Sequence, residues 1–279
     1  MDSLRIVIVG LGLIGGSLAK AFQRRGGCQI SGIDHDPTVL EAAKDSGAID
    51  KFAVSSDLAN ADYLFLCTYP HTAVSFMEQH GSELSPSCTV SDTCGIKNEI
   101  CPRLTALSRQ YGFSFIGGHP MAGKEQSGFA YSEASLFDGA SYIMVPCGAP
   151  HKKTDALRKL MLSIGFGSTV ETTPEHHDAM IAFTSQLPHA LACAYVMSPC
   201  CPDHRGYSAG SYRDVSRVAH INEELWSELF LENRDALVTE LDTLTLHLQQ
   251  IRDAIEQNDR DKLRLLLRRG KKVKEALGE

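Results

Sequence analysis

The sequence has no apolar run long enough to cross a membrane, no Cys-x-x-Cys pair among its nine cysteines, no excess of basic charge and one tryptophan, Trp226. A spanning helix needs about 20 consecutive apolar residues, so no membrane partner is expected. The cysteines, at positions 28, 67, 88, 94, 101, 147, 193, 200 and 201, are odd in number and scattered. That pattern speaks for reduced thiols rather than a disulfide framework. The nearest approach to a metal cluster is Cys200-Cys201 with His204, beside which stands His176-His177-Asp178. Neighbours on one helix diverge by about 100° and share an ion poorly, so no metal is expected. Lys and Arg number 27 against 34 Asp and Glu, for a net charge of -7. Nucleic acid is therefore not an expected partner, and the bases after Arg260, interleaved with acids, read as a solvated helical face. An apolar β-type run begins by Arg5 with no signal pattern before it, so the expected compartment is the cytoplasm.

What the sequence does have is a turn that organises the rest. Arg5-Ile-Val-Ile-Val9 ends in Gly10-Leu-Gly12-Leu13-Ile14-Gly15, which opens into a helix-forming segment. The spacing is that of a dinucleotide-binding turn. Gly10 permits the tight bend, Gly12 lets backbone approach a pyrophosphate, and Gly15 lets helix and strand pack closely, while the free N–H groups at the helix start receive phosphate charge. The strand before, the helix after and an acid about 20 residues on make the motif specific. That acid is Asp34, closing Gln29-Ile-Ser-Gly-Ile33. It can accept hydrogen bonds from an adenosine ribose and repels a 2′-phosphate, and no arginine follows it, so NAD is the expected cofactor.

The pattern continues as strand and helix in alternation. Asp36-Pro37 supplies an N-cap and a first-turn proline, and Gly47 a stop. Tyr63–Cys67, Thr89–Ser91 and Phe113–Ile116 read as buried strands, followed by Ser141–Val145 and Ser168–Glu171. The expected fold is α/β: an N-terminal Rossmann dinucleotide-binding domain over 1–171, built on a mostly parallel doubly wound sheet, and an all-α domain over 172–279. Ligands of such sheets sit at the carboxyl ends of the strands. Thr68 and Asp92 are thereby expected at the cofactor, with the loop from Gly117 onward beside them. In the helical part, Thr173-Pro174 starts a helix in which Pro188 should produce a kink. Between Asn222 and Asn258 there is neither Gly nor Pro, and Leu237, Leu241, Leu244, Leu248, Ile251 and Ile255 alternate four and three apart. This is a heptad seam, read as a homodimer interface in preference to an intramolecular core helix.

Gly117-Gly-His119-Pro-Met-Ala-Gly-Lys-Glu125-Gln-Ser-Gly128 is dense in polar loop residues at the expected rim. His119 is the candidate base: its ordinary pKa of about 6.5 leaves it largely neutral at pH 7, able to take a proton from an alcohol as hydride departs. Gln186-Leu-Pro-His189 brings a second histidine, and Ser211-Tyr-Arg213-Asp214-Val-Ser-Arg217 two cations suited to an anionic substrate.

Taken together these segments resemble the prephenate and arogenate dehydrogenases of tyrosine biosynthesis, over nearly the whole chain and in family order. The resemblance implies oxidative decarboxylation of prephenate to 4-hydroxyphenylpyruvate, or of arogenate to tyrosine, by a dimer joined through its helical domain. It implies that His119 accepts the proton of the ring 4-hydroxyl, that oxidation makes a vinylogous β-keto acid, and that aromatisation pulls out the carboxylate. It also implies that His189 and Arg217, with Arg213 a weaker candidate, hold substrate carboxylate, that Glu125 helps position substrate, and that Trp226 lies near the site wall. Two departures stand out. Asp92-Thr-Cys-Gly95-Ile-Lys97 lacks the serine usual at Gly95, for which Thr93, Cys94 or a water could substitute, and Gln186 stands where many relatives have histidine. The rivals are a β-hydroxyacid dehydrogenase of the 6-phosphogluconate type, which wants a helix-borne lysine base, and a non-catalytic dinucleotide sensor, which needs neither His119 nor Arg217.

Overall fold

The computed structural model describes residues 3–124 and 126–278. Eight strands form one sheet: β1 (Leu4–Val9), β2 (Cys28–Ile33), β3 (Lys51–Phe52), β4 (Tyr63–Leu66), β5 (Thr89–Asp92), β6 (Ser114–Pro120), β7 (Ser141–Val145) and β8 (Ser168–Glu171). Their order is β3-β2-β1-β4-β5-β6-β7-β8. All neighbours are parallel except β6 and β7, which pair antiparallel. The helices of the α/β part are α1 (Leu13–Arg25), α2 (Pro37–Asp45), α3 (Ser55–Asn60), α4 (Pro70–His80), α5 (Ile100–Tyr111) and α6 (His151–Ser163). Thereafter come α7 (Pro174–Ile181), α8 (Leu187–Val196), α9 (Gly210–Ser216), α10 (Glu223–Glu232), α11 (Arg234–Glu256) and α12 (Arg260–Ala276).

The sheet is covered on both faces. One core gathers Ile6, Ile8, Leu18, Phe22, Phe65, Leu157 and Met161, so α1 and α6 cover that face; the other gathers Val7, Leu64, Val74, Met77, Val90 and Leu104 beneath α4 and α5. Because β1 is flanked by β2 and β4 and buried from both sides, Ile6 through Val9 are all buried. An unbroken apolar run is what such a position requires. Asp36 caps α2 by accepting from Thr38 N at 2.9 Å, with Pro37 opening the helix.

The chain divides into two compact units, one of residues up to Ile181 with His220–Glu232, the other of Ala182–Ala219 with the residues from Asn233 onward. The α7 helix is tied into the first unit because Asp178 accepts the backbone N–H groups of Lys97 and Asn98, each at 2.8 Å. In the second unit α8 packs on α9 and on the short 3₁₀ turn Arg217–Ala219, while α11 packs on α8, on α12 and on Ala182–Gln186.

Several local expectations are corrected. β6 does not end at Ile116 but continues to Pro120, because Gly117 to Pro120 pair with β7 after the pairing with β5 has stopped at Ile116. β7 accordingly runs against its neighbour. The helix expected to kink at Pro188 instead opens into a π turn at Ala182–Gln186, leaving Pro188 in the first turn of α8, where a missing N–H costs no hydrogen bond. The Gly- and Pro-free run is two helices, broken at Asn233. Gln186 accepts from Asn233 Nδ2 at 2.7 Å, and both residues are buried, so this break is fixed from within the second unit.

Candidate active site

The glycine turn is built by contact. Gly10 sits at φ 85°, and a Cβ there would lie 2.6 Å from Cys67 O and 2.7 Å from Thr68 Cγ2, so the turn rests on the loop after β4. A Cβ on Gly15 would fall 1.8 Å from Gly10 O. A Cβ on Gly12, by contrast, would meet nothing within 4 Å, and Gly12 caps α1 without a side chain. The backbone is open where a diphosphate would pass, at a helix start with no acid in its first turn. Leu13 and Ile14 are half-buried in that turn. Asp34 Oδ2 accepts from Leu11 N at 2.7 Å and Oδ1 from Asp36 N at 3.0 Å, so its carboxylate is held at the edge of the turn with lone pairs to spare. His35 lies 3.1 Å from it. Thr68, beside Gly10, donates to Tyr69 O at 3.4 Å. These groups fit a dinucleotide.

Asp92, expected at the cofactor, has its carboxylate turned inward. It is fully buried, pairs with Lys97 Nζ at 2.5 Å, and accepts from Cys94 N at 2.9 Å and Gly118 N at 3.0 Å. The carboxylate therefore fixes β6 one residue before His119 and is committed to the protein. A Cβ on Gly118 would lie 2.0 Å from the Tyr142 hydroxyl and 2.5 Å from Asp92 O, so only glycine allows this approach.

His119 is thus held in a strand, paired across to Ile143, and not in a loop. Its Nδ1 lies 2.9 Å from Nε2 of His177, whose own Nδ1 lies 2.6 Å from Asp178 Oδ1. Spacing alone does not reveal this chain, in which His177 and Asp178 stand out by sequence only as poor metal ligands. Its geometry assigns the tautomers. A carboxylate can only accept, so His177 donates from Nδ1 and presents a lone pair at Nε2; His119 then donates from Nδ1 and keeps its lone pair at Nε2. Burial, then the Lys97 charge and His177, hold the His119 pKa well below its ordinary value. Burial also lowers His177, although Asp178 works against it. The pair is neutral at pH 7, with Asp178 orienting it.

The substitutes for the missing serine are engaged elsewhere. Thr93 Oγ1 donates to Leu66 O at 3.3 Å and the buried Cys94 thiol to Thr68 O at 3.5 Å. A Cβ at Gly95 would meet only Leu229 Cδ2, at 3.6 Å. Trp226 stacks edge-on with Phe230 at 5.6 Å between centroids in the same unit. Glu125 lies outside the described residues.

The second unit brings His189, Arg213 and Arg217 together. His189 Nδ1 donates to Ser185 O at 2.7 Å, leaving Nε2 as an acceptor. Burial lowers its pKa, the Ser185 bond opposes this, and the Arg217 charge lowers it further. Arg213 and Arg217 line one cavity of about 510 Å³ with Tyr212 and His204, whose rings stack at 4.4 Å. Gln186, buried against Asn233, is a structural clamp with no proton to relay.

Residues 18–168 match the nucleotide-binding domain of prephenate dehydrogenase and residues 173–269 its dimerization domain. The chain is 31% identical over 268 residues to the prephenate dehydrogenase of Bacillus subtilis, an alignment spanning 92% of this chain and 72% of that protein. Its fold is similar to Synechocystis arogenate dehydrogenase (TM-score 0.83, 28% identity, 98% and 99% of the two chains covered). It is equally similar to A. aeolicus prephenate dehydrogenase in complex with hydroxyphenyl propionate and NAD+ (TM-score 0.84, 27% identity, 99% of each chain). With two family domains matched in order across most of the sequence, the chain belongs to the prephenate dehydrogenase family.

Proposed function

We propose that the protein carries out the NAD-dependent oxidative decarboxylation of prephenate to 4-hydroxyphenylpyruvate in tyrosine biosynthesis. The observation that carries this reading is the His119–His177–Asp178 chain, which leaves one neutral imidazole nitrogen as an acceptor on a strand of the same sheet that carries the dinucleotide-binding turn. NAD, when bound, supplies the acceptor for a hydride. Gly10, Gly12, Leu13, Ile14, Gly15 and Thr68 are the residues that would hold it, with Asp34 at the ribose. Asp34 disfavours a 2′-phosphate by charge, hence NAD over NADP.

The chain's own residues do the rest. His119 Nε2 takes the proton of the ring 4-hydroxyl, and its low pKa keeps it unprotonated and ready to accept. Arg217, with Arg213, neutralises substrate carboxylate, His189 contributes to substrate binding through its acceptor Nε2, and Glu125 helps position substrate. Once the hydroxyl carbon is oxidised, aromatisation drives loss of the ring carboxylate, so these side chains need only bind and orient. The same residues are compatible with arogenate, which differs in carrying an amino group for the keto oxygen.

The assembly proposed is a homodimer joined through the helical region, 172–279. Leu248 and Ile255 are 51% and 61% exposed on the single chain, as are Leu265, Leu267 and Val273 on α12. So much aliphatic surface on two adjacent helices favours a second copy. No described helix is long and apolar enough to cross a membrane, and nine unpaired cysteines are in keeping with cytoplasmic placement.

The test is a steady-state comparison of prephenate and arogenate, each with NAD and NADP. The reading expects the highest kcat/KM for prephenate with NAD. Preference for arogenate would reassign the substrate, and turnover of neither would leave a dinucleotide-binding protein without this activity.

A further inference from the structure

The first unit contains a thiol pair that the dehydrogenase chemistry does not use. Cys101 is the second residue of α5, and Cys147 stands two residues past β7 in Pro146-Cys147-Gly148. The two elements meet against β6 at Gly117, where an added Cβ would lie 2.9 Å from Cys101 Sγ and 3.3 Å from Val145 Cβ. The two thiols are close enough to shift each other's ionisation in opposite directions. Both line a cavity of about 540 Å³ together with Thr105 and the exposed Arg109. Cys101 is buried and Cys147 only half-buried, so one sulfur of the pair is accessible and the other lies behind it.

Cys147 adopts φ 54°, one of two non-glycine residues with positive φ among the described residues. Backbone in that region persists only where its surroundings hold it, and here the flanking Pro146 and Gly148 fix the turn that carries the thiol. From this juxtaposition we infer that Cys101 and Cys147 form a hydroperoxide-reactive dithiol, with Cys147 the attacking sulfur and Cys101 the resolving one.

The contact is asymmetric, as such chemistry requires. Cys101, opposed by burial and assisted by Thr105 and the Gly117 backbone, draws the Cys147 thiol below its ordinary value, whereas Cys147 and burial push Cys101 up. Cys67 and Cys88 are pushed up to about 12 by burial, and Cys94 is raised by the same cause. A partly ionised, accessible sulfur next to a protonated partner is the arrangement found in peroxide-sensitive thiols.

The chemistry balances with a hydroperoxide as oxidant. The Cys147 thiolate attacks the terminal peroxide oxygen, the O–O bond breaks, and the alkoxide or hydroxide leaves as alcohol or water after taking a proton. The sulfenic acid so formed is attacked by Cys101 sulfur. An S–S bond forms, and the S–OH oxygen departs as water with the Cys101 proton. Two thiols lose two electrons, and the peroxide gains them.

Full-length protein, reduced and freed of reductant, would be titrated with hydrogen peroxide, alkylated, digested and read by non-reducing mass spectrometry. The expected first product is a Cys101–Cys147 peptide pair, two hydrogens lighter than its reduced halves and reversed by dithiothreitol. Cys101→Ser should leave a sulfenic acid on Cys147 that dimedone captures, and Cys147→Ser should abolish the linked pair. The rate of Cys147 alkylation should rise through a midpoint below the ordinary thiol value of about 8.5. Cys101 and Cys147 still alkylatable after exposed Cys200 has been oxidised would overturn the inference, as would an alkylation midpoint at the ordinary thiol value of about 8.5. The wild-type measurements stand whether or not either variant folds.

Discussion

Nδ1 of His119, in β6, lies 2.9 Å from Nε2 of His177, a residue of α7 that is itself oriented by its neighbour Asp178 at 2.6 Å. The link fixes which nitrogen of His119 carries a proton. Asp178 acts through His177, so it is a positioning residue and its loss should be felt in the tautomer balance. Asp178→Asn can donate toward His177 Nδ1, which flips that ring and then His119. We expect kcat to fall by less than the roughly 100- to 10,000-fold of a lost general base, with KM nearly unchanged and the acid limb of the rate profile displaced. A uniform loss of kcat with an unaltered pH profile would mean that Asp178 matters only through the Lys97 and Asn98 backbone that it holds.

The two histidines also tie stability to pH. Both have folded pKa values below the ordinary value, so the unfolded chain binds these protons more tightly and unfolding takes up protons below about pH 6.5. Stability is therefore fully present above that value and falls as pH drops, by roughly 1 kcal/mol per pH unit for each histidine. Ordinary carboxylates titrate near pH 4, but between about 6.5 and 5 Glu232, whose carboxyl burial pushes up to about 7, works against the histidines and offsets part of the loss. Urea melts at pH 7 and pH 5.2 should show the loss in wild type, and His177→Asn should reduce it.

Glycines in the site differ in what they permit. Gly118→Ala drives a Cβ to 2.0 Å from the Tyr142 hydroxyl and 2.5 Å from backbone, and both are buried, so it should destabilise by about 1 to 3 kcal/mol and displace His119. Gly95→Ser meets only Leu229 at 3.6 Å and should fold with a stability change within about 0.5 kcal/mol. Thermal melts of the two variants compare them directly; equal losses would contradict the packing described.

The seam on α11 can be tested without disturbing a core. Leu248 and Ile255 are exposed on the single chain, so a Leu248→Glu, Ile255→Glu double variant should keep its helical content and sediment as a monomer where wild type sediments as a dimer. A monomeric wild type at micromolar concentration would remove the proposed interface.

Much of the architecture was legible because it is local. Gly10 to Gly15 follow a strand buried on both faces, and buried parallel strands leave unbroken apolar runs in the sequence. The two-residue β3 was not legible, being too short for any periodicity. The extension of β6 through Gly117 and Gly118 was hidden for another reason: glycine is poor in strands, and those residues are strand because they pair with β7, with glycine required at 118 where Tyr142 and Asp92 crowd it. His177 comes to His119 from 58 residues away and could not be seen from spacing. Gln186 drew notice as a departure from relatives, but its buried bond to Asn233 is a tertiary fact.

The central claim is that His119 Nε2 is the base, and His119→Asn tests it most directly. Asparagine keeps a polar side chain but cannot take up the proton, so kcat should fall about 100- to 10,000-fold while NAD binding, read by fluorescence titration, is retained. Wild-type kcat should stay flat as pH falls to the ordinary histidine value and decline only below it, because burial and Lys97 hold the imidazole neutral. That acid limb should vanish in the variant. Activity within a fewfold of wild type, or an acid limb that survives the substitution, would contradict the account and pass the role of base to another group.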